Sequence, residues 1–232
     1  MNNIITNEKI KYLIKLKDKK FRLEEKKFLV EGKHLIEEAK EAGLLLEVYT
    51  TTKEFDGILI KEEQMKKISQ TNTPSNVLGV CKMVFKVELS DKILILDDIS
   101  DPTNLGTILR SAKAFKFDTI IASNDTVDFY NDKVIRGSQG AIFKINLIKG
   151  DLKQKILELK KQGYFIYGTD VKGGFDVKKH QEHKKSALIL GNETRGVNDD
   201  IKKLADQNLY IKLDNMESLN VSVAGSILMY EL

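Results

Sequence analysis

Short apolar runs alternate with longer amphipathic stretches along most of this chain. The run Ile93-Leu94-Ile95-Leu96 contains no polar position, as expected of a strand buried on both faces. Similar runs recur at Thr119-Ile120-Ile121-Ala122, Phe165-Ile166-Tyr167, Ala187-Leu188-Ile189-Leu190 and Leu209-Tyr210-Ile211. Between them, periodicity predicts helices over residues 104–115 and 151–162, a short helix over 134–137, and a strand reached through 141–147. That alternation predicts a parallel sheet with helices on both faces. The last stretch, from Tyr210 to Leu232, reads as strand end, loop and helix, with Ser218 as its N-cap.

The N-terminal third has a smaller grain. Ile10, Leu13, Ile14 and Leu16 mark an amphipathic helix with a basic opposite face. Phe28-Leu29-Val30 reads as a strand, and residues 33–42 read as a helix stopped by Gly43. Strands over 45–51 and 58–60, a helix over 61–70 and a closing strand over 76–87 complete a small α/β unit. Residues 88–91 are short and polar, so the expected division is 1–88 and 91–232.

Composition narrows the classes. With 232 residues and 41% hydrophobic side chains, the chain can bury a substantial core. It has no apolar run long enough for a transmembrane helix, and its start lacks the apolar core of a secretory signal. The single cysteine, Cys81, excludes an internal disulfide and suits a cytoplasmic location. Net charge is only +4, but Lys9, Lys11, Lys15, Lys17, Lys19, Lys20, Arg22, Lys26 and Lys27 cluster near the start. Such a cluster suits a polyanion partner, although a charge run is more often a solvated helix face.

Candidate chemistry sits at the expected carboxyl ends of strands, where parallel sheets bind ligands. After the first C-terminal strand comes Asp101-Pro102-Thr103-Asn104-Leu105-Gly106-Thr107-Ile108-Leu109-Arg110. Pro102 stiffens the turn, Gly106 permits close backbone approach, and Arg110 offers a guanidinium suited to phosphate. After Leu190 comes Gly191-Asn192-Glu193-Thr194-Arg195-Gly196, a sharp polar loop. It matches neither dinucleotide nor phosphate-loop fingerprints, which argues against a doubly wound dehydrogenase. Ser218, Asn220 and Ser222 crowd the start of the last helix. His180 and His183 lack a third ligand nearby, so no metal is expected and a solvated charged loop is the reading there.

In this order NLGTILR, LGNETRG and ESLNVSVAGSILMYE resemble the three motifs of SpoU-type (TrmH-like, SPOUT class) RNA ribose 2′-O-methyltransferases. The resemblance extends through VDFYNDKVIRGSQGAIF, and KDKKFRLEEKKFLVEGKHLIEEA resembles the ribosomal-protein-like RNA-binding domain that often precedes such a catalytic domain. It implies an α/β fold with a C-terminal trefoil knot, S-adenosylmethionine as methyl donor, a homodimer with sites at its interface, and an RNA substrate, ribosomal before transfer RNA. By position, Asn104, Arg110, Glu193, Ser218 and Asn220 match the catalytic set. Thr169, Gly191, Glu193, Ile211, Leu213, Leu219 and Asn220 match cofactor contacts. Lys17, Lys19, Lys20, Arg22, Arg110 and Arg136 are the expected RNA contacts, and Ser138 is a further candidate. The chain departs from the family before its last loop, where Ile211-Lys212-Leu213-Asp214-Asn215 holds neither proline nor glycine. Asp214 or Asn215 can replace that glycine, because both residue types visit positive φ at modest cost. The competing reading is a noncatalytic RNA-binding or ribosome-assembly protein on the same fold.

Overall fold

The computed structural model describes residues 5–83, 88–170 and 173–232, which build two sheets. The N-terminal elements are α1 (Asn7–Lys15), α2 (Lys19–Glu25), β1 (Lys27–Glu31), α3 (Lys33–Glu41), β2 (Leu45–Thr50), β3 (Ile58–Leu59), α4 (Glu62–Ile68) and β4 (Val77–Lys82). Their sheet runs β1-β4-β2-β3, with β4 antiparallel to both neighbours and β2 parallel to β3. The expected closing strand ends at Lys82, and residues 84–87 lie outside the described residues. The basic N-terminal stretch is two helices, not one. Asp18 caps α2 by accepting the Phe21 N–H at 3.0 Å, and Lys26 ends it in the left-handed region. Lys17 and Asp18 hydrogen-bond back to Ile14 and Lys15, making the corner that periodicity could not show.

The C-terminal elements follow as β5 (Lys92–Leu96), α5 (Pro102–Ala114), β6 (Thr119–Ala122), α6 (Asp132–Gly137), β7 (Asn146–Lys149), α7 (Leu152–Lys161), β8 (Phe165–Thr169), β9 (Phe175–Asp176), β10 (Ser186–Leu190), α8 (Asp199–Lys202), β11 (Gln207–Tyr210) and α9 (Val221–Glu231). The second sheet is ordered β7-β6-β5-β10-β8-β11-β9, and every pairing in it is parallel. Period-two alternation explains its unbroken apolar strands. Leu94, Leu96, Leu188 and Leu190 face one buried cluster with α5 and α9, while Ile93, Ile95, Ala187 and Ile189 face another with α7.

Helix ends follow local chemistry. Pro102 opens α5 at its first turn, where its missing N–H costs nothing, and the Asp101 carboxylate accepts the Thr103 and Asn104 N–H groups at 2.7 and 2.9 Å. The last helix begins at Val221, later than expected, because its cap is Asn220 and not Ser218. Asn215 stands at φ 56°, so it supplies the left-handed turn that the absent glycine would have made. The close approach expected at Gly106 is to Gly137 of α6. A Cβ on Gly106 would lie 2.9 Å from the Gly137 Cα, so the two helices cross backbone to backbone.

Candidate active site

The carboxyl ends of β8, β10 and β11 open onto one cleft of about 450 Å³. Its floor is apolar and includes Leu190, Leu209, Ile211, Leu213, Leu219 and Leu228. Its rim is polar, with Thr169 and Asp170, the Asn192–Gly196 turn, and Glu217 and Ser218 before α9. The Thr169 hydroxyl donates to the Ile189 carbonyl at 3.0 Å and ties β8 to β10 at the cleft's edge. Lys202 reaches Asp170 as an ion pair across the same rim. An apolar floor under polar, partly acidic walls fits a nucleoside that carries a cationic sulfonium, and the volume lies in the range of small-molecule sites.

The loop after β10 is fixed by its own backbone. Asn192 and Gly196 exchange hydrogen bonds at 3.0 and 2.9 Å, and Gly196 takes φ 73°. The Asn192 carbonyl oxygen of the side chain accepts the Thr194 and Arg195 N–H groups, while its Nδ2 donates to the Asp98 carbonyl at 2.9 Å. A Cβ on Gly191 would fall 2.1 Å from the Val197 nitrogen, so only glycine fits beneath this loop. Asp98 itself holds φ 58° and pairs with Arg195, which ties the loops after β5 and β10 together. Asp98 did not stand out in the sequence, since a single Asp before a loop has many ordinary uses, and Arg195 was visible only as part of the polar loop.

A directed chain of hydrogen bonds joins the three motifs. The Glu193 carboxylate accepts from the Ser100 N–H at 3.2 Å, the Ser100 hydroxyl at 2.9 Å, the Asp101 N–H at 3.1 Å and Asn104 Nδ2 at 3.2 Å. A carboxylate only accepts, so Asn104 must present its amide nitrogen to it and its oxygen to the other side. That oxygen accepts from Asn220 Nδ2 at 3.0 Å. The Asn220 oxygen in turn accepts the Ser222 N–H and hydroxyl at 2.9 and 2.6 Å. Burial pushes the Glu193 carboxyl up, but the N–H groups of Glu193 and Asp101, the Asn104 amide and the Ser100 N–H outweigh it. The net result holds Glu193 below its ordinary value, as an anion at neutral pH.

Of the residues expected at the site, Asn104, Glu193 and Asn220 are thus brought into contact. Thr169, Gly191, Glu193, Ile211, Leu213, Ser218 and Leu219 line the cleft, whereas Asn220, also expected there, is the exposed cap of α9 outside the lining. Arg110 lies exposed on α5, beside Ser111, whose hydroxyl meets Ser226 of α9 at 2.7 Å.

The expected RNA contacts divide. Lys19 and Lys20 are exposed on α2, and Arg136 is half-exposed beside Asp132 at 2.8 Å. Arg22 is a correction: it is 5% exposed, and its guanidinium is spent on Asp128 and on the Leu16 and Lys17 carbonyls. Lys17 donates to the Lys67 and Ser69 carbonyls at 2.8 and 2.5 Å, closing the end of α4. Ser138 is fully buried with its hydroxyl on the Ile135 carbonyl, so it is structural. His183 stacks on Phe165 with ring centroids 3.9 Å apart, which makes the 176–185 segment a packed cover and not a fully solvated loop.

Residues 91–230, which hold the cleft and all three motifs, match the model of the SpoU rRNA Methylase family. The chain belongs to the SpoU family. Residues 7–79 of this SpoU protein match the MRM3-like substrate binding domain. It is 35% identical to the 23S rRNA (guanosine(2553)-2′-O)-methyltransferase RlmP of Bacillus subtilis, over 97% of this chain and 96% of that protein. An RNA methyltransferase assigned to the TrmH family, from Porphyromonas gingivalis, superposes with a TM-score of 0.88 at 26% identity, covering 98% of both chains. The SpoU methyltransferase AviRb from Streptomyces viridochromogenes, solved with AdoMet, shares the fold with a TM-score of 0.86 at 22% identity, over 97% of each chain.

Proposed function

We propose that this SpoU-family protein transfers a methyl group from S-adenosylmethionine to a ribose 2′-hydroxyl of structured ribosomal RNA. The observation that carries the reading is the hydrogen-bonded union of Glu193, Asn104 and Asn220 beside the cleft. The full-length similarity to a 23S ribosomal RNA methyltransferase favours ribosomal over transfer RNA. S-adenosylmethionine supplies an electrophilic methyl group on a sulfonium centre. The Gly191 loop, Ile211, Leu213 and Leu219 would hold it, through apolar side chains and the loop's backbone groups. As the 2′-oxygen takes the methyl group and the sulfur–methyl bond breaks, the hydroxyl proton passes to water, and the side chains must place the hydroxyl in line. Arg110 is too basic for simple proton abstraction, so it grips an RNA phosphate and stabilises the developing alkoxide. Asn104, Ser218 and Asn220 orient ribose and cofactor, and Glu193 anchors Asn104.

In this reading, residues 1–88 bind RNA and 91–232 carry the catalysis, with the C-terminal segment threaded as a trefoil knot. The carboxyl end supports a tucked-in tail: Leu232 is buried, and its carbonyl accepts from Lys92 at the start of β5 at 2.7 Å. The protein works as a homodimer in the cytoplasm. Val223 and Tyr230 leave α9 an exposed apolar face suited to a second copy, at 49% and 72% exposure. The described residues hold no helix long and apolar enough to cross a membrane.

The test is transfer of labelled methyl from S-adenosylmethionine to ribosomal RNA from cells lacking the gene, followed by mapping of 2′-O-methyl positions. Label at one ribose is expected. Label in transfer RNA alone would move the substrate, and no label in either would overturn the reading.

A further inference from the structure

The two sheets do not keep separate cores. Phe28 and Val30 of β1 and Leu35, Ile36 and Ala39 of α3 pack in one buried cluster with Ile135 of α6, Ile142 and Phe143. The Phe28 ring lies 4.7 Å from Tyr130 and 6.1 Å from Phe143. Beside this seam Arg22 of α2 meets Asp128 at 2.6 Å, with side chains only 7% and 14% exposed. At the rim Lys144 pairs with Glu38 at 2.6 Å.

Domains of one chain usually meet through modest polar interfaces and move relative to one another. An apolar seam with a desolvated ion pair has the opposite character. Such a pair adds little net stability, but any shifted packing that parts the two side chains while keeping them buried leaves a charge unpaired, so one arrangement is strongly preferred. The seam also leads to the active site. Asp128 precedes α6, and Gly137 of α6 meets Gly106 of α5, the helix that carries Asn104 and Arg110.

We infer that the Arg22–Asp128 pair and the Phe28 seam hold the N-terminal module at one fixed span from the methyl-transfer site. Arg22 and Asp128 are then positioning residues that determine specificity. The module engages one RNA element, and the ribose methylated is the one that falls at the set span. The inference rests on the methyltransferase reading above.

The test compares the full-length chain with Arg22→Met/Asp128→Leu, which removes both charges together and leaves apolar volume in their place. The substrate is an unmodified 23S ribosomal RNA transcript. The wild type unfolds in one calorimetric transition and methylates one nucleotide. The double variant keeps one transition but loses the preference for one register: KM for RNA rises about tenfold or more with kcat nearly unchanged, and methylation spreads to neighbouring nucleotides. Its affinity for S-adenosylmethionine stays at the wild-type level, a readout that general unfolding would not spare. Unchanged KM and an unchanged single site in the double variant would overturn the inference, as would two transitions in the wild type. If the double variant does not fold, Phe28→Leu is read by the same criteria. A wild-type chain that methylates no RNA removes the methyltransferase reading, and calorimetry still decides the fixed seam.

Discussion

Replacing Glu193 with Gln probes the junction of the three motifs. One carboxylate oxygen accepts from the Asp101 N–H and Asn104 Nδ2, the other from the Ser100 N–H and hydroxyl. Glutamine keeps only one accepting oxygen, so in either flip its NH2 group faces a backbone N–H. The cheaper flip points the NH2 at Ser100, whose hydroxyl can turn and accept. The Ser100 N–H still loses its partner, and the remaining bonds lose their charge assistance. Hydrogen bonds to a charged group contribute roughly 1.5–3 kcal/mol each. Water reaches this partly exposed carboxylate and replaces part of that, so a net loss of about 2 kcal/mol in loop anchoring is expected. Spent entirely on cofactor binding, that is about thirtyfold in Kd. Titration calorimetry of S-adenosylmethionine against both proteins reads it directly. A Glu193→Gln protein that binds within about twofold of wild type would refute the anchoring role. The acid limb gives a second check. Because the folded pKa lies below the unfolded one, the carboxylate's stabilisation is fully present above about the ordinary value of 4.5 and lost as pH falls through the lowered value. Glu193→Gln lacks that limb, which thermal unfolding between neutral and acid pH would show.

Four further variants separate the roles. Arg110→Ala is expected to lower methyl transfer by about a hundredfold or more while cofactor affinity is unchanged; near-normal turnover would remove Arg110 from the chemistry. Gly191→Ala places a Cβ 2.1 Å from the Val197 nitrogen and 2.2 Å from the Gly196 carbonyl carbon, so the loop must move and S-adenosylmethionine binding should fall sharply in the same titration. Asn220→Ala removes the α9 cap and the partner of Asn104, for about 1 kcal/mol of stability by denaturant titration and a larger loss of turnover, since Asn104 is then unheld. Lys19→Ala/Lys20→Ala should weaken RNA binding and flatten its dependence on salt by one to about two units of slope; an unchanged slope would place the RNA elsewhere.

Much of the fold was legible in local pattern. Ile93-Leu94-Ile95-Leu96 and Ala187-Leu188-Ile189-Leu190 have no polar position because both faces of the parallel sheet are covered. Pro102 was read as a turn residue before a helix from Asn104, and the helix opens two residues earlier, at Pro102 itself; Asn215 was one of two residues able to replace a glycine. The polar motifs were visible as residues too costly to scatter through apolar helix and strand ends without use. These are properties of neighbours in sequence, where side-chain alternation and backbone preference act over a few residues.

Only the tertiary structure decided which polar groups meet. Asn104 reaches Glu193 across 89 residues and Asn220 across 116. No local propensity encodes such a pairing; it follows from placing β10 beside β5 and α9 against α5. Burial was decided in the same way. Arg22 belongs to a basic run like its neighbours, yet its side chain is buried, because Asp128 supplies a countercharge from the other sheet's loops. Gly106 and Gly137 are two ordinary glycines until their helices cross, and only the crossing leaves no room for a Cβ. Sequence alone therefore determined most of the elements and the chemical inventory, whereas long-range packing decided which side chains form the site and which hold the two sheets together.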